Sequence, residues 1–331
     1  MRAIIMDGFG GSEVLQLGAC ALPEPSADEV RIKVAATSVN RADLAQREGH
    51  YPPPPGESDI LGLEVAGVIE ALGTGVTGWR VGDRVMSLVG GGGYADYAVA
   101  PASTLMAVPA GMPLLEAAGI SEVFLTAYLN IFQEAALKQG DSVLIHGGAS
   151  GVGTAGIQLV KALGGGLCLV TVGSADKAEA CTALGADLAI RYKDDDFVAA
   201  VQAATDKRGV DVILDHIGGA YLAKNIDCLA TYGRLVIIGL LGGAKAELPI
   251  GKLMIKRQRV IGSVLRARPV AEKARLTADF SANVLPLFDA GRLKPVIHTV
   301  MPLDDVRAAH DLVEANANIG KVILQVDAAL T

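Results

Sequence analysis

The sequence predicts an α/β protein of two domains, one β-rich and one built on a doubly wound parallel sheet. Three observations carry this reading. Short strands and frequent turns fill the first third; from about Val123 short apolar strands alternate with helix-length segments; after about Arg266 a helix and short strands return. The 331 residues are enough chain for two cores of ordinary size.

The elements follow in order. Val30 to Val34 alternates with period two, Glu64 to Leu72 is β-branched and apolar, and turn signals stand at Gly73-Thr74-Gly75 and Val81-Gly82-Asp83. Such short strands suggest a compact, barrel-like domain. The stretch HYPPPPGESD at 50–59 excludes a helix or an inner strand, because proline lacks the N–H and fixes φ, so it reads as a stiff surface arm. Strands are then expected at Ser142 to Gly147, Leu167 to Val172, Leu188 to Tyr192, Asp211 to Asp215, Arg234 to Gly239 and Val260 to Ser263. Helices are expected at Gly151 to Leu163 and Ala175 to Leu184, with others between most of the later strands. Alternation of this kind builds a parallel sheet with helices on both faces and right-handed crossovers. A helix from Lys273 to Ala290 and strands at Val296 to Val300 and Lys321 to Val326 are assigned back to the first domain. The second domain is thus an insertion, with expected boundaries 1–123, 124–266 and 267–331.

Composition removes several classes. Cys20, Cys168, Cys181 and Cys228 form no CxxC pair, so a zinc ribbon or a thioredoxin-type motif is not available, and they read as reduced thiols of a cytoplasmic protein. The first residues lack the apolar run and cleavage site of a signal peptide, and the longest apolar stretch, 162–173, falls short of the ~20 residues that cross a bilayer. No membrane is expected as a partner. The net charge of −7 arises from 29 basic and 36 acidic residues mixed along the chain, without a basic block, so nucleic acid is not expected either.

The segment 142–154 is an apolar strand running into a glycine-rich turn that opens a helix. Its spacing is G-x-S-x-x-G (Gly148, Ser150, Gly153) with an extra Gly151, so it departs from G-x-G-x-x-G at the middle position. The physical demands of dinucleotide binding are still met: small residues for a tight turn and close approach of a pyrophosphate, and a helix N-terminus with free N–H groups. The end of the next strand chooses between dinucleotides. An NAD site usually presents an acid there to the ribose 2′-OH; here Gly173-Ser174 stands instead, with Lys177 one turn later, which favours NADP(H). Ser174 as an ordinary N-cap and Lys177 as a solvated helix residue is the alternative, and Asp176 is read as interacting with the helix dipole.

Segments VNRADLAQREGHYPPPPG (39–56), LGLEVAGVI (61–69), VGDRV (81–85), FLTAY (124–128), SVLIHGGASGVGTAGIQL (142–159), ILDHIGG (213–219), GRLVIIGLLGG (233–243) and NIGKVIL (318–324) together resemble the medium-chain dehydrogenase/reductases. Within that superfamily they resemble the zinc-independent quinone oxidoreductases related to zeta-crystallin. The resemblance runs over essentially the whole chain. It implies a GroES-like catalytic domain, a Rossmann-type NADP(H) domain, and a homodimer or a tetramer of dimers. It also implies Asn40 and Thr126 at the nicotinamide with Tyr51 at the mouth of the pocket, Ser150, Gly151 and Val152 at the pyrophosphate, and Gly173, Ser174, Lys177 and Tyr192 at the 2′-phosphate. Ile217, Ile238, Gly239, Leu240, Leu241, Leu265, Arg266 and Asn318 complete the implied cofactor groove.

The zinc-dependent relatives need a Cys in the early loop and a His in G-H-E. Here these positions hold Asn40 and Leu63, the lobe of a structural zinc is replaced by the Cys-free stretch 85–94, and His50, His146, His216, His298 and His310 are dispersed. No metal is expected. Without a Lewis acid a simple alcohol is hard to oxidise, whereas a quinone or electron-poor enone accepts charge through its own conjugation once positioned against the reduced nicotinamide. NADPH-dependent quinone reduction is therefore expected, with Tyr51 either donating a hydrogen bond or only stacking on the prolines, and Asn40 either orienting substrate or nicotinamide or only capping backbone. The alternatives are an NADPH-dependent enoyl or enone reductase, and a non-enzymatic NADPH-binding protein, crystallin-like or redox-sensing.

Overall fold

In the computed structural model, which describes residues 1–331, a small hairpin of β1 (Arg2–Met6) and β2 (Leu15–Ala19) precedes β3 (Glu29–Val39), the longest strand. All side chains of β3 except Glu29 and Lys33 are buried, because this strand lies inside its sheet. Helix α1 (Arg41–Arg47) follows, then β4 (Glu64–Leu72), β5 (Arg84–Leu88), β6 (Tyr97–Pro101), β7 (Leu105–Ala107) and α2 (Leu114–Ala117). Helix α3 (Ser121–Tyr128) runs into a π-helical turn at Leu129–Glu134. Residues 50–59 form neither helix nor strand, as four consecutive prolines require.

The second region alternates strictly: β8 (Val143–Ile145), α4 (Gly151–Ala162), β9 (Cys168–Val172), α5 (Ala175–Ala183), β10 (Leu188–Arg191), α6 (Phe197–Ala204), β11 (Val210–Asp215), α7 (Leu222–Cys228), β12 (Leu229–Ile237), α8 (Ile250–Ile255) and β13 (Arg259–Gly262). All six strands pair in parallel, in the order β10-β9-β8-β11-β12-β13. The order reverses between β8 and β11. In sheets of this kind ligands bind outside the carboxyl ends of the strands at such a reversal. Leu144, Leu169, Ile213 and Leu235 of this sheet pack with Phe197, Val201 and Ile226 in its core.

The chain ends with α9 (Val270–Asn283), α10 (Leu285–Asp289), β14 (Ile297–Pro302), α11 (Val306–Glu314) and β15 (Lys321–Gln325). Strand β15 pairs antiparallel with β3, so the C-terminal strands complete the first sheet, whose order is β14-β15-β3-β4-β5-β7, with β6 pairing β3 as well. The chain divides into two units: Met1–Leu125 with Leu265–Thr331, and Thr126–Val264. The core of the first is Ile32, Val34, Val65, Ile69, Val85, Tyr94 and their neighbours, onto which Trp79 packs.

Two expectations need correction. The single helix from Lys273 to Ala290 is two, α9 and α10, because Pro286 has no N–H to continue the ladder and sits in the first turn of the second helix. The strand expected from Arg234 begins at Leu229, since Tyr232 takes φ +65° beside Gly233 and the apparent turn lies within the strand.

Candidate active site

In the inserted unit the cofactor candidates gather at one edge. Ser150, Gly151 and Val152 follow β8; Gly173 and Ser174 follow β9, with Lys177 in the first turn of α5; Tyr192 follows β10; Ile217 follows β11; Ile238, Gly239, Leu240 and Leu241 follow β12. All stand beyond carboxyl ends of parallel strands, flanking the reversal between β8 and β11.

The glycine turn is built as a cradle. Gly147 takes φ +63°, and a Cβ there would lie 2.4 Å from the ring of His216, which follows β11. A Cβ at Gly153 would lie 2.4 Å and 2.5 Å from the carbonyl oxygens of Gly147 and Gly148, so only glycine lets α4 start this close to the turn. Ser150, where the usual fingerprint has glycine, has φ −71° and needs no special conformation. Its hydroxyl caps α4 by accepting from the Gly153 N–H at 3.1 Å. The N–H groups of Gly151 and Val152, at the first two positions of α4, have no acceptor within the helix and find none outside it. These two donors at the positive end of a helix dipole suit an anion of pyrophosphate size.

Beyond β9, a Cβ at Gly173 would approach the Tyr192 hydroxyl at 3.2 Å. Ser174 stands at the N-cap of α5 but makes no capping bond. Its side chain bonds the Asp176 carboxyl and, with the backbone around Lys177, holds it below the usual carboxylate range. The only acid in this first turn is therefore already engaged. Beyond β11, buried Asp215 accepts from the N–H groups of Ile217 (2.7 Å) and Gly218 (3.0 Å), while burial pushes its carboxyl up to about 6. Leu241 and Gly242 N–H groups bond the carbonyls of His216 and Ile217, which zips the two loops together and leaves Leu240 and Leu241 more than half exposed. His146, immediately after β8, is buried between Thr171 and Asn225, and burial pushes it down to about 3, so it is neutral. Thr126, in α3, buries its hydroxyl oxygen without a partner.

In the first unit the Asn40 side chain is fixed from two sides. Its Nδ2 donates to Glu64 Oε1 (3.0 Å) and its Oδ1 accepts from Lys321 Nζ (2.6 Å). Lys321 Nζ lies 3.1 Å from the same Glu64 oxygen, which also accepts from Ser38 Oγ at 2.5 Å. The ammonium and the carboxylate are both buried. The Asn40 backbone N–H donates to Asp43 Oδ2, forming half of a capping box for α1; the side chain is committed to the ion pair. Tyr51 is half-buried under the Arg266 guanidinium, whose carbon lies 5.4 Å from the ring centroid. Arg266 donates to the carbonyls of Gly90 (2.7 Å) and Tyr51 (3.3 Å), while its Nη2 is buried with no acceptor. Leu265 is buried beside it, and Asn318 donates locally to Gly320 O at 2.6 Å.

Sequence reasoning missed Glu64, Lys321 and Glu122 as site residues. In the sequence Glu64 stands out only as the start of an expected strand and beside Leu63, and Lys321 only as the start of another and within NIGKVIL. Zinc does not fit the residues present: no three His, Cys, Asp or Glu side chains converge, and the two expected ligand positions hold the lysine-bound Asn40 and the buried Leu63.

Residues 26–110 match the alcohol dehydrogenase GroES-like domain, and residues 151–283 match the zinc-binding dehydrogenase domain. The chain is 33% identical to the quinone oxidoreductase of Lama guanicoe over 98% of its length and 97% of that protein. It is 31% identical to the human synaptic vesicle membrane protein VAT-1 homolog-like over 99% of this chain and 81% of that one. Among solved structures, the Escherichia coli quinone oxidoreductase complexed with NADPH superposes with a TM-score of 0.89 at 29% identity, covering 98% of this chain and all of that one.

Proposed function

Since the chain belongs to the medium-chain dehydrogenase/reductase superfamily, in the group that contains the quinone oxidoreductases, and is an NADP(H)-dependent oxidoreductase, we propose that it reduces quinones without a metal. The observation that carries this is the Asn40–Glu64–Lys321 set: a lysine ammonium is built in beside the position where zinc-dependent relatives hold their ion. No electrophilic metal is then offered to an alcohol, and the acceptor must take negative charge through its own conjugation.

When bound, NADPH supplies a hydride from C4 of its nicotinamide. The chain's part is to hold and orient. In this reading the Gly151 and Val152 N–H groups, behind the Ser150 cap, take the pyrophosphate, and Ser174, Lys177 and Tyr192, with Gly173 adding no side chain between them, take the 2′-phosphate. Thr126, with its unpartnered hydroxyl, and Asn40, with its second amide hydrogen, take the nicotinamide side. Ile217, Ile238, Gly239, Leu240 and Leu241 of the inserted unit, and Leu265, Arg266 and Asn318 of the first, are further cofactor contacts in this reading. Tyr51 offers a ring face and a hydroxyl to a flat acceptor.

The protein is further proposed to act in the cytoplasm, where its four unpaired cysteines stay reduced; no helix is long and apolar enough to cross a membrane. It is also proposed to work as a homodimer, paired through β13, the open edge of the six-stranded sheet. Val260 and Val264 on that edge and Ile250, Met254 and Ile255 on neighbouring α8 are exposed apolar side chains that a second copy would cover.

The direct test follows NADPH absorbance at 340 nm with 1,4-benzoquinone, 1,2-naphthoquinone, crotonyl-CoA and an alkenal. Fastest loss with the quinones is expected. A clear preference for crotonyl-CoA or the alkenal replaces the acceptor with an enoyl thioester or enone, and NADPH binding without turnover on any of them makes this a binding protein.

A further inference from the structure

Reduction of a quinone to a hydroquinone takes a proton as well as a hydride, and the one protonated cation of the Asn40 set, Lys321, is already paired with Glu64. The second residue of α3 supplies an acid. The Glu122 N–H donates to Glu64 Oε2 at 2.8 Å, which anchors Glu122 against the buried Asn40–Glu64–Lys321 set. Its own carboxyl pairs with no cation. Lys321 is spent on Glu64 and Asn40, and Arg266 on two carbonyl oxygens. Glu122 is half-buried, and α3 carries Thr126 four residues further on.

Burial is the largest influence on Glu122 and favours the neutral acid; the carboxylates of Glu64 and Asp43 push the same way, against weaker opposition from Lys321 and Arg266. The balance holds the proton on Glu122 up to about 8. Glu122 in turn acts on the Tyr51 hydroxyl, so the two lie in one neighbourhood, together with Arg266 over the Tyr51 ring. Two buried polar groups in the same unit point to a ligand there: Arg266 Nη2 has no acceptor, and neither does the hydroxyl of Ser121, the residue before Glu122.

We propose that Glu122 is the catalytic acid, donating its carboxyl proton to the acceptor oxygen as the hydride arrives, with Arg266 Nη2 stabilising the charge that develops on that oxygen. The acceptor takes the hydride, two electrons and one hydrogen, which ends as one of the two hydroquinone O–H groups. An O–H bond forms at its oxygen as the Glu122 O–H bond breaks, and the carboxylate left behind recovers a proton from water. The stoichiometry is one NADPH and one solvent proton per hydroquinone. This rests on the quinone-reductase reading.

The test is the pH dependence of kcat between pH 6 and 9.5 for the wild-type chain, Glu122→Gln and Glu122→Asp, with NADPH and 1,4-benzoquinone. Wild-type kcat is expected to fall about tenfold per unit above a break near pH 8. Glu122→Gln should lose on the order of 10²-fold at pH 7 and show no break, with NADPH affinity by fluorescence unchanged. Glu122→Asp should keep a break, at a different pH. A wild-type profile flat to pH 9.5, or a Glu122→Gln enzyme within twofold of wild type with the same break, overturns the proposal while leaving quinone reduction standing. Wild-type protein that turns over no quinone at any pH overturns both.

Discussion

The buried ion pair of the first unit allows a quantitative perturbation. Lys321→Met removes an ammonium that touches Glu64 Oε1 (3.1 Å), Asn40 Oδ1 (2.6 Å) and the Val39 carbonyl (3.2 Å). The Glu64 carboxylate, with no exposed surface, keeps Ser38 Oγ, Asn40 Nδ2 and the Glu122 N–H as donors but loses its countercharge. Breaking a buried pair from one side costs roughly 3–5 kcal/mol, and the three remaining hydrogen bonds place this case at about 3 kcal/mol. Glu64→Gln strands the ammonium instead and is expected to cost a similar amount. The double variant buries no net charge and should cost no more than either single change, giving a coupling of at least about 3 kcal/mol. The assay is urea unfolding followed by tryptophan emission. Trp79 is the only tryptophan and packs on the core of this unit, so its signal reports the unit concerned. Single-variant costs that add in the double variant to within ~0.5 kcal/mol would refute the coupling, and with it the argument that this ion pair organises Asn40.

Three further outcomes follow from the same structure. Gly153→Ala places a methyl 2.4 Å and 2.5 Å from two backbone oxygens that cannot swing away; α4 must shift, with a cost of about 1–3 kcal/mol in thermal unfolding and weaker NADPH binding by fluorescence titration. Lys177→Ala should raise the KM for NADPH about tenfold, the worth of one charge-assisted contact, and leave NADH almost unaffected; equal effects on the two cofactors would remove Lys177 from the 2′-phosphate site. Stability should decline from pH 6.5 to 9 because of Glu122. Its folded value, about 8, lies above its ordinary 4.5, so the folded state holds a proton that the unfolded chain has released, and the stability this provides is lost as pH rises. Below that window the raised carboxyls of Asp43 and Asp215, at about 6, act in opposition to the depressed His146 and His310, at about 3. Relative to wild type, Glu122→Gln should therefore gain about 1.4 kcal/mol between pH 7 and pH 9, read from paired urea titrations; no gain would place the Glu122 proton elsewhere.

What was legible in the sequence was local. The strand at Glu64–Leu72 and the start of α4 at Gly151 were readable because β-branched runs and a glycine turn before a helix leave marks within a few residues. The break at Pro286 was written in the sequence as well, since proline has no N–H for the ladder, yet the expected helix ran through it. The glycine cradle was visible for the same local reason, although its left-handed residue is Gly147 rather than a glycine of the counted spacing. The other half of the candidate site was not. Glu64 meets Lys321 only because β15, at the far end of the chain, pairs with β3, which in turn pairs with β4. Glu122 has no sequence signature at all: its acidity is set by burial and by two carboxylates that reach it through tertiary structure.

The most direct measurement is an anaerobic single turnover in which enzyme loaded with NADPH labelled with deuterium at C4 is mixed with one equivalent of quinone. Loss of the 340 nm band, appearance of one hydroquinone per NADPH and a primary deuterium isotope effect, all unaltered by a metal chelator, are expected. A reaction abolished by the chelator and restored by zinc, or a persistent 340 nm band, would contradict the account.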